Sequence, residues 1–192
     1  MLTRLGVLAD RDADTVMMGD VAELADEIVD DLYLARYAES DQPALEVAQA
    51  REVGRVAVTH RLARLAPDGA APGSPAAHRY DFARDVLAEL AARKRDRRVL
   101  DYDDLLVLLA EALTHPVIGP AAAARVRDRF RVVLVDEFQD TDPVQWQILR
   151  TAFHGHATLV LIGDPKQAVY AFRGGDVVTY LAAAADADRV AT

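Results

Sequence analysis

Apolar residues recur at three- and four-residue spacing after Gly19-Asp20, as Val21, Leu24, Ala25, Ile28, Val29, Leu32 and Ala35. This spacing predicts an amphipathic helix over about 20–38, with Asp20 as N-cap and acids on its wet face. Residues 44–66 fit a second helix, weakened by Gly54 and by the β-branched Val53, Val56, Val58 and Thr59. The Pro-, Gly- and Ser-rich stretch Pro67 to Pro75 reads as a loop. Another helix is predicted over about 78–98. Asp101 and Asp103 then cap one that carries Leu105, Leu106, Leu108, Leu109 and Leu113. His115-Pro116 and Gly119-Pro120 break it, and a short alanine-rich helix runs to about 130. There the period changes. Arg131-Val-Val-Leu-Val-Asp136 and Thr158-Leu-Val-Leu-Ile-Gly163 are continuous apolar runs of the kind found in buried parallel strands. Between them, residues 142–153 are helical in pattern, with Val144, Ile148 and Leu149 on one face, and a last helix spans roughly 176–185. Strand, helix, strand makes a βαβ unit, so the fold class is α/β, with a mainly helical part over 1–130 and a parallel sheet over 131–192.

Composition qualifies this picture. The 192 residues suffice for one domain or slightly more, and 52% hydrophobic with 28% charged residues is a globular balance. The net charge of −9 argues at first against a nucleic-acid partner. However, residues 1–50 hold twelve acids against three bases, whereas 51–192 hold nineteen of each. The excess is therefore local, and the acidic helix at 20–38 presents either a solvated face or a surface for a basic partner. The absence of cysteine excludes disulfides, zinc–thiolate clusters and a thiol nucleophile. No apolar run approaches the ~18 residues that span a bilayer, so a soluble, cytoplasmic chain with no membrane partner is expected.

Several features carry chemistry or resemble features that do. The cluster Arg93-Lys-Arg-Asp-Arg-Arg98 reads either as a solvated helix end, favoured by the helix dipole, or as a phosphate-contacting patch. Met17-Met18 reads as a buried strand or helix entry, Trp146 as core or interface, and His154-Gly-His156 as a loop. In open parallel sheets ligands bind beyond the carboxyl ends of the strands. Both predicted strands end there in acids, Asp136-Glu137 and Asp164. Adjacent Asp and Glu suit nucleotide hydrolysis: one carboxylate holds Mg²⁺, usually through water, and its neighbour orients or deprotonates the attacking water. A strand-end turn that merely caps the next helix is the plainer reading of the same two residues.

The longer strings are more specific. Val135-Asp-Glu-Phe-Gln-Asp-Thr-Asp142 resembles motif II of superfamily 1 DNA helicases of the UvrD and RecB type. Gly163-Asp-Pro-Lys-Gln-Ala-Val-Tyr-Ala-Phe-Arg-Gly-Gly-Asp176 resembles their motif III, in wording closest to the RecB branch, the β subunits of exodeoxyribonuclease V. Asp101-Tyr-Asp-Asp-Leu-Leu106 is similar to a third family element, and Ile28-Val-Asp-Asp-Leu-Tyr33 is a weaker match. The strong resemblance covers residues 132–181. It implies that Asp136 binds Mg²⁺, that Glu137 is the general base, and that Gln167 senses the γ-phosphate of ATP and connects it to the DNA site. Tyr170 and Phe172 would stack on single-strand bases, or pack in the core at their i, i+2 spacing, and Arg173 would contact the strand or brace the motif. Ala168 stands where many relatives carry Ser.

A nucleotide-hydrolysing helicase also needs a glycine-rich loop ending in Gly-Lys-Ser/Thr. The chain has only Lys94 and Lys166, in Arg93-Lys94-Arg95 and Pro165-Lys166-Gln167, and neither fits. The resemblance therefore implies an internal piece of a helicase. It would comprise a helical insertion over 1–130 and a partial RecA-like (P-loop NTPase) parallel sheet over 131–192 that lacks its phosphate-loop strand. The parent would use ATP and Mg²⁺ to move 3′→5′ along single-stranded DNA during double-strand-break repair and recombination. It would act on duplex ends with RecC- and RecD-like subunits, while the isolated chain would be inactive. A second reading, prompted by the missing loop together with Met1, is a stand-alone non-catalytic module that docks single-stranded DNA or a helicase partner.

Overall fold

The computed structural model describes residues 15–67, 69–167 and 177–187. They form two compact units that divide at Asp101/Tyr102. The sequence pattern placed the division near 130. The helices over 102–127 instead pack against the helix over 143–153, because their leucines and alanines complete the core beneath the second sheet.

The unit over 15–101 contains α1 (Ala22–Tyr37), α2 (Val47–Thr59) and α3 (Pro75–Asp96), with a short parallel ladder of β1 (Val16–Met17) and β2 (Val99–Leu100). Leu24, Ala25, Ile28 and Val29 form the buried stripe of α1, as the spacing predicted, and meet Leu45, Ala50, Val58, Phe82, Val86 and Leu90. Asp20 acts one position earlier than expected: Val21 is the N-cap, and the Asp20 carboxylate accepts from the Ala22 amide at 2.8 Å. α2 runs through Gly54 because Val29 of α1 fills the space that a β-carbon there would need. The proline-rich loop ends by starting α3, with the Ser74 hydroxyl accepting from Ala77 N at 3.1 Å and Pro75 in the first turn, where its missing N–H costs nothing. Of Met17-Met18, expected as a buried strand or helix entry, Met17 lies exposed in β1, which pairs only with β2 among the described residues, while Met18 is partly buried against the helical core.

The unit over 102–187 contains α4 (Tyr102–Thr114), α5 (Gly119–Arg127), β3 (Val132–Val135), α6 (Pro143–Phe153), β4 (Thr158–Leu161) and α7 (Val177–Ala185). β3 and β4 are parallel and adjacent, Val132 facing Thr158 and Val135 facing Leu161, with α6 as the crossover. The predicted βαβ unit is present. Val133 and Leu159 pack on Leu113, Val126, Ala152 and Phe153, while Val135 and Leu161 pack near Phe138 and Trp146. The strands are not buried on both faces, as continuous apolar runs suggested. Val132, Leu134 and Val160 lie exposed, because the helices among the described residues cover only one face of this sheet. Among the described residues no single helix is long and apolar enough to cross a membrane.

Candidate functional site at the strand ends

The two strands stop together, and their ends are stitched by main-chain bonds. Ile162 N donates to Val135 O at 2.8 Å, and Phe138 N donates to Ile162 O at 2.8 Å. Asp136 and Glu137 therefore leave β3 beside Gly163 and Asp164 leaving β4. Glu137 turns the chain with φ +51°, the left-handed region, which costs a non-glycine residue about 1–2 kcal/mol. Its neighbours hold that turn. Its amide donates to Asp136 Oδ1 at 2.9 Å, and Phe138 begins a single 3₁₀ turn (Phe138–Asp140) with its ring fully buried. That ring lies edge-on to Trp146, 5.4 Å between centroids, and 6.0 Å from Tyr180. Trp146 is thus a core residue, as its spacing suggested. Asp142 caps α6 reciprocally with Gln145, its carboxylate accepting from Gln145 N at 2.8 Å. Burial, opposed by the cap bonds, raises the Asp142 pKa above the ordinary aspartate value, and the charge of Asp103 adds to the rise.

Both carboxylates proposed for chemistry are exposed beyond the strand end, and so is Gln167, in the short 3₁₀ turn Pro165–Gln167 that follows β4. Asp164 organises this turn: its Oδ1 accepts from Lys166 N at 2.9 Å and its Oδ2 from Gln167 Nε2 at 3.3 Å. The structure thus brings Asp136, Glu137, Asp164 and Gln167 to one edge of one sheet. Tyr170, Phe172 and Arg173 lie outside the described residues.

One residue of the motif carries more contacts than its sequence announces. Gln139 is 3% exposed. Its Nε2 donates to Glu137 Oε2 at 2.6 Å, and its Oε1 accepts from Asp164 N at 3.1 Å. The only advance signal was an amide residue inside a motif-like string.

Oxygen donors at the strand end suit a hard cation, and a lone carboxylate such as Asp136 fits Mg²⁺, which keeps several waters and takes phosphate oxygens. No group of three or more potential ligands that would make a closed metal cage occurs among the described residues, so any ion here would need water or phosphate to complete its shell.

The basic cluster at the end of α3 keeps the solvated end that was expected, with Arg95, Arg97 and Arg98 exposed, but several of its cations are also paired with acids. Arg93 bonds Glu89, Glu27 and Asp31 at 2.7–2.9 Å, and Arg97 bonds Glu27 at 2.8 Å. Lys94 is buried against Asp101, Nζ to Oδ2 2.6 Å, and Arg61 reaches the other Asp101 oxygen at 2.7 Å. These cations join α3 to α1 and to the residue after β2. His154 and His156 flank Gly155 in the turn after α6, the loop that was expected.

Residues 10–188 match the UvrD/REP helicase N-terminal domain. The RecBCD enzyme subunit RecB of Mycolicibacterium smegmatis is 55% identical over 188 residues, 97% of this chain and 17% of that protein. The RecB subunit of Mycobacterium tuberculosis H37Rv is 48% identical over 189 residues, 98% of this chain and again 17% of the relative. That of Escherichia coli K12 is 48% identical over 101 residues, 52% of this chain and 8% of that protein. The chain spans about one sixth of the length of the first two relatives, which it matches almost end to end.

Proposed function

The chain belongs to the UvrD/REP helicase N-terminal domain family, and on that premise we propose that it is part of the motor of a RecB-type, ATP-dependent DNA helicase. The observation that carries the reading is the register of β3 and β4, which sets Asp136 and Glu137 beside Asp164 and Gln167 at the ligand-binding edge of a parallel sheet. In this reading the α/β unit from Tyr102 onward is part of a RecA-like motor domain, and the helical unit before it belongs to an insertion flanking the DNA path. Glu137 takes the proton from the attacking water, Gln167 meets the γ-phosphate, and Asp136 holds the ion. Mg²⁺ there would supply charge neutralisation for the phosphates. Tyr170, Phe172 and Arg173 are assigned to single-stranded DNA. The parent protein couples ATP hydrolysis to 3′→5′ movement on DNA in double-strand-break repair and recombination, as a helicase–exonuclease with RecC- and RecD-like partners.

The 192 residues contain no Gly-Lys-Ser/Thr phosphate loop, so by themselves they hydrolyse no ATP. DNA-stimulated turnover by the purified chain, abolished by Glu137→Gln, would refute that statement. In the full-length polypeptide that carries these residues, Glu137→Gln should lower DNA-stimulated ATP turnover about 10²–10⁴-fold, the usual contribution of a positioned base, with DNA binding retained. Turnover within a few-fold of the parent would remove Glu137 from the chemistry.

A further inference from the structure

We infer that Gln139 is a positioning residue that fixes the proposed base and ties it to the strand end bearing the γ-phosphate sensor; the inference rests on the reading of Glu137 given above. The side-chain amide has one orientation open to it. Its partner on one side is a carboxylate, which only accepts, and on the other a backbone N–H, which only donates. A flipped amide would set oxygen against oxygen and N–H against N–H. With both ends satisfied and the side chain buried, Gln139 has no freedom to spare, and the Glu137 carboxylate inherits that rigidity on its Oε2 side.

The bridge depends on close approach of β4. A β-carbon on Gly163 would sit 2.5 Å from Gln139 Oε1 and 3.0 Å from Phe138 N, so no larger residue fits without pushing the amide aside. The contacts then continue in one direction: Glu137 carboxylate, Gln139 amide, Asp164 backbone N–H, Asp164 carboxylate, Gln167 amide. Four residues from two strand ends form a hydrogen-bonded series joining the group that would accept the water's proton to the group that would read the nucleotide. An unheld Glu137, exposed and in a strained backbone conformation, would sample many rotamers. Loss of the bridge should appear in kcat rather than in nucleotide affinity, because a general base does not hold the ground-state nucleotide.

The test is DNA-stimulated ATP hydrolysis by the full-length polypeptide, comparing Gln139→Met, Gln139→Glu and Glu137→Gln, with melting measured alongside and rates taken well below each midpoint. Gln139→Met keeps an unbranched side chain but loses both bonds. Gln139→Glu keeps the acceptor for Asp164 N while replacing the donor to Glu137 with a second carboxylate, so it attacks the positioning role and spares the strand bond. Both variants are expected to lower kcat by about ten- to a hundredfold, with KM for ATP within about twofold, the split expected when only transition-state positioning is lost. A kcat within about threefold of the parent for Gln139→Glu overturns the inference, as does a rate loss matched by an equal rise in KM, which would mark a merely structural residue. Turnover surviving in Glu137→Gln sinks the base assignment itself, and the positioning role falls with it; Gln139 variants that keep their rate while Glu137→Gln is dead sink only the positioning role.

Discussion

Asp101→Asn isolates the strongest buried electrostatic contact in the helical unit. The Asp101 side chain is 6% exposed, Lys94 is equally buried, and Arg61 is 16% exposed. Asparagine keeps the shape and one acceptor but removes the charge that offsets two cations, one of them deep in the fold. Removing one member of a buried pair costs about 3–5 kcal/mol, because the remaining charge stays out of water without compensation. For a chain of this size each kcal/mol moves the melting midpoint by about 2–4 °C, so the variant should melt about 6–20 °C lower. Far-UV circular dichroism is the informative signal, since α1, α2 and α3 belong to this unit, while Trp146 fluorescence reports on the other. Asp96→Asn, at an exposed position at the end of α3, should stay within about 0.5 kcal/mol of the parent. Lys94→Met combined with Asp101→Asn should cost less than the two single changes together, by about 0.5–3 kcal/mol. If Asp101→Asn costs under about 1 kcal/mol, no more than exposed ion pairs usually contribute, the argument for a structural anchor fails, and the resemblance of Asp101 to a family element needs another cause.

Two further outcomes follow from single contacts. Gly54→Ala gains about 1 kcal/mol of helix propensity but sets a β-carbon 2.2 Å from Val29 Cγ2, and overpacking of about 1–3 kcal/mol outweighs the gain; denaturant melts should show net destabilisation, with Val29→Ala recovering part of it in the double variant. Asp142→Ala should lose the α6 cap at about 0.5–2 kcal/mol, whereas Asp142→Asn keeps a capping oxygen and escapes the cost of burying a charge. Because the folded-state pKa of Asp142 is raised, its contribution is fully present below the ordinary aspartate value and is lost as pH rises through the folded-state value. Asp142→Asn should therefore compare best with the parent near neutrality, and its relative stability should fall on acidification; a pH-independent difference between the two would refute this.

The legible parts of the fold are those set by local pattern. α1 follows its 3–4 apolar spacing within two residues at each end, and β3 and β4 follow their continuous apolar runs. The strand-end position of the acids was legible for the same reason, since Asp136 and Glu137 directly follow β3 and Asp164 lies three residues past β4. What stayed hidden depends on contacts between distant segments. The ladder of Val16–Met17 on Val99–Leu100 is two residues long and leaves no periodic trace. Lys94 looked like one of several surface cations, and only its distance to Asp101 shows it to be buried. Gln139 needed the approach of Gly163, which no spacing rule contains.

Net charge shows the same limit from another side. The acids of the first fifty residues seemed to speak against a nucleic-acid enzyme, or to offer a surface to a basic partner. In the fold α1 keeps the solvated acidic face that was also expected, and part of it pairs within the chain: Glu27 and Asp31 of α1 meet Arg93 and Arg97 of α3, and Asp30 meets Arg51 of α2. An isolated exposed pair of this kind contributes about 0–1 kcal/mol. Arg93, however, engages three carboxylates at once, so a phosphate that recruited it would have to displace all three and loosen α1 from α3. That competition sets Arg93 apart from a free phosphate contact, whereas Arg95 and Arg98 at the same helix end stay exposed.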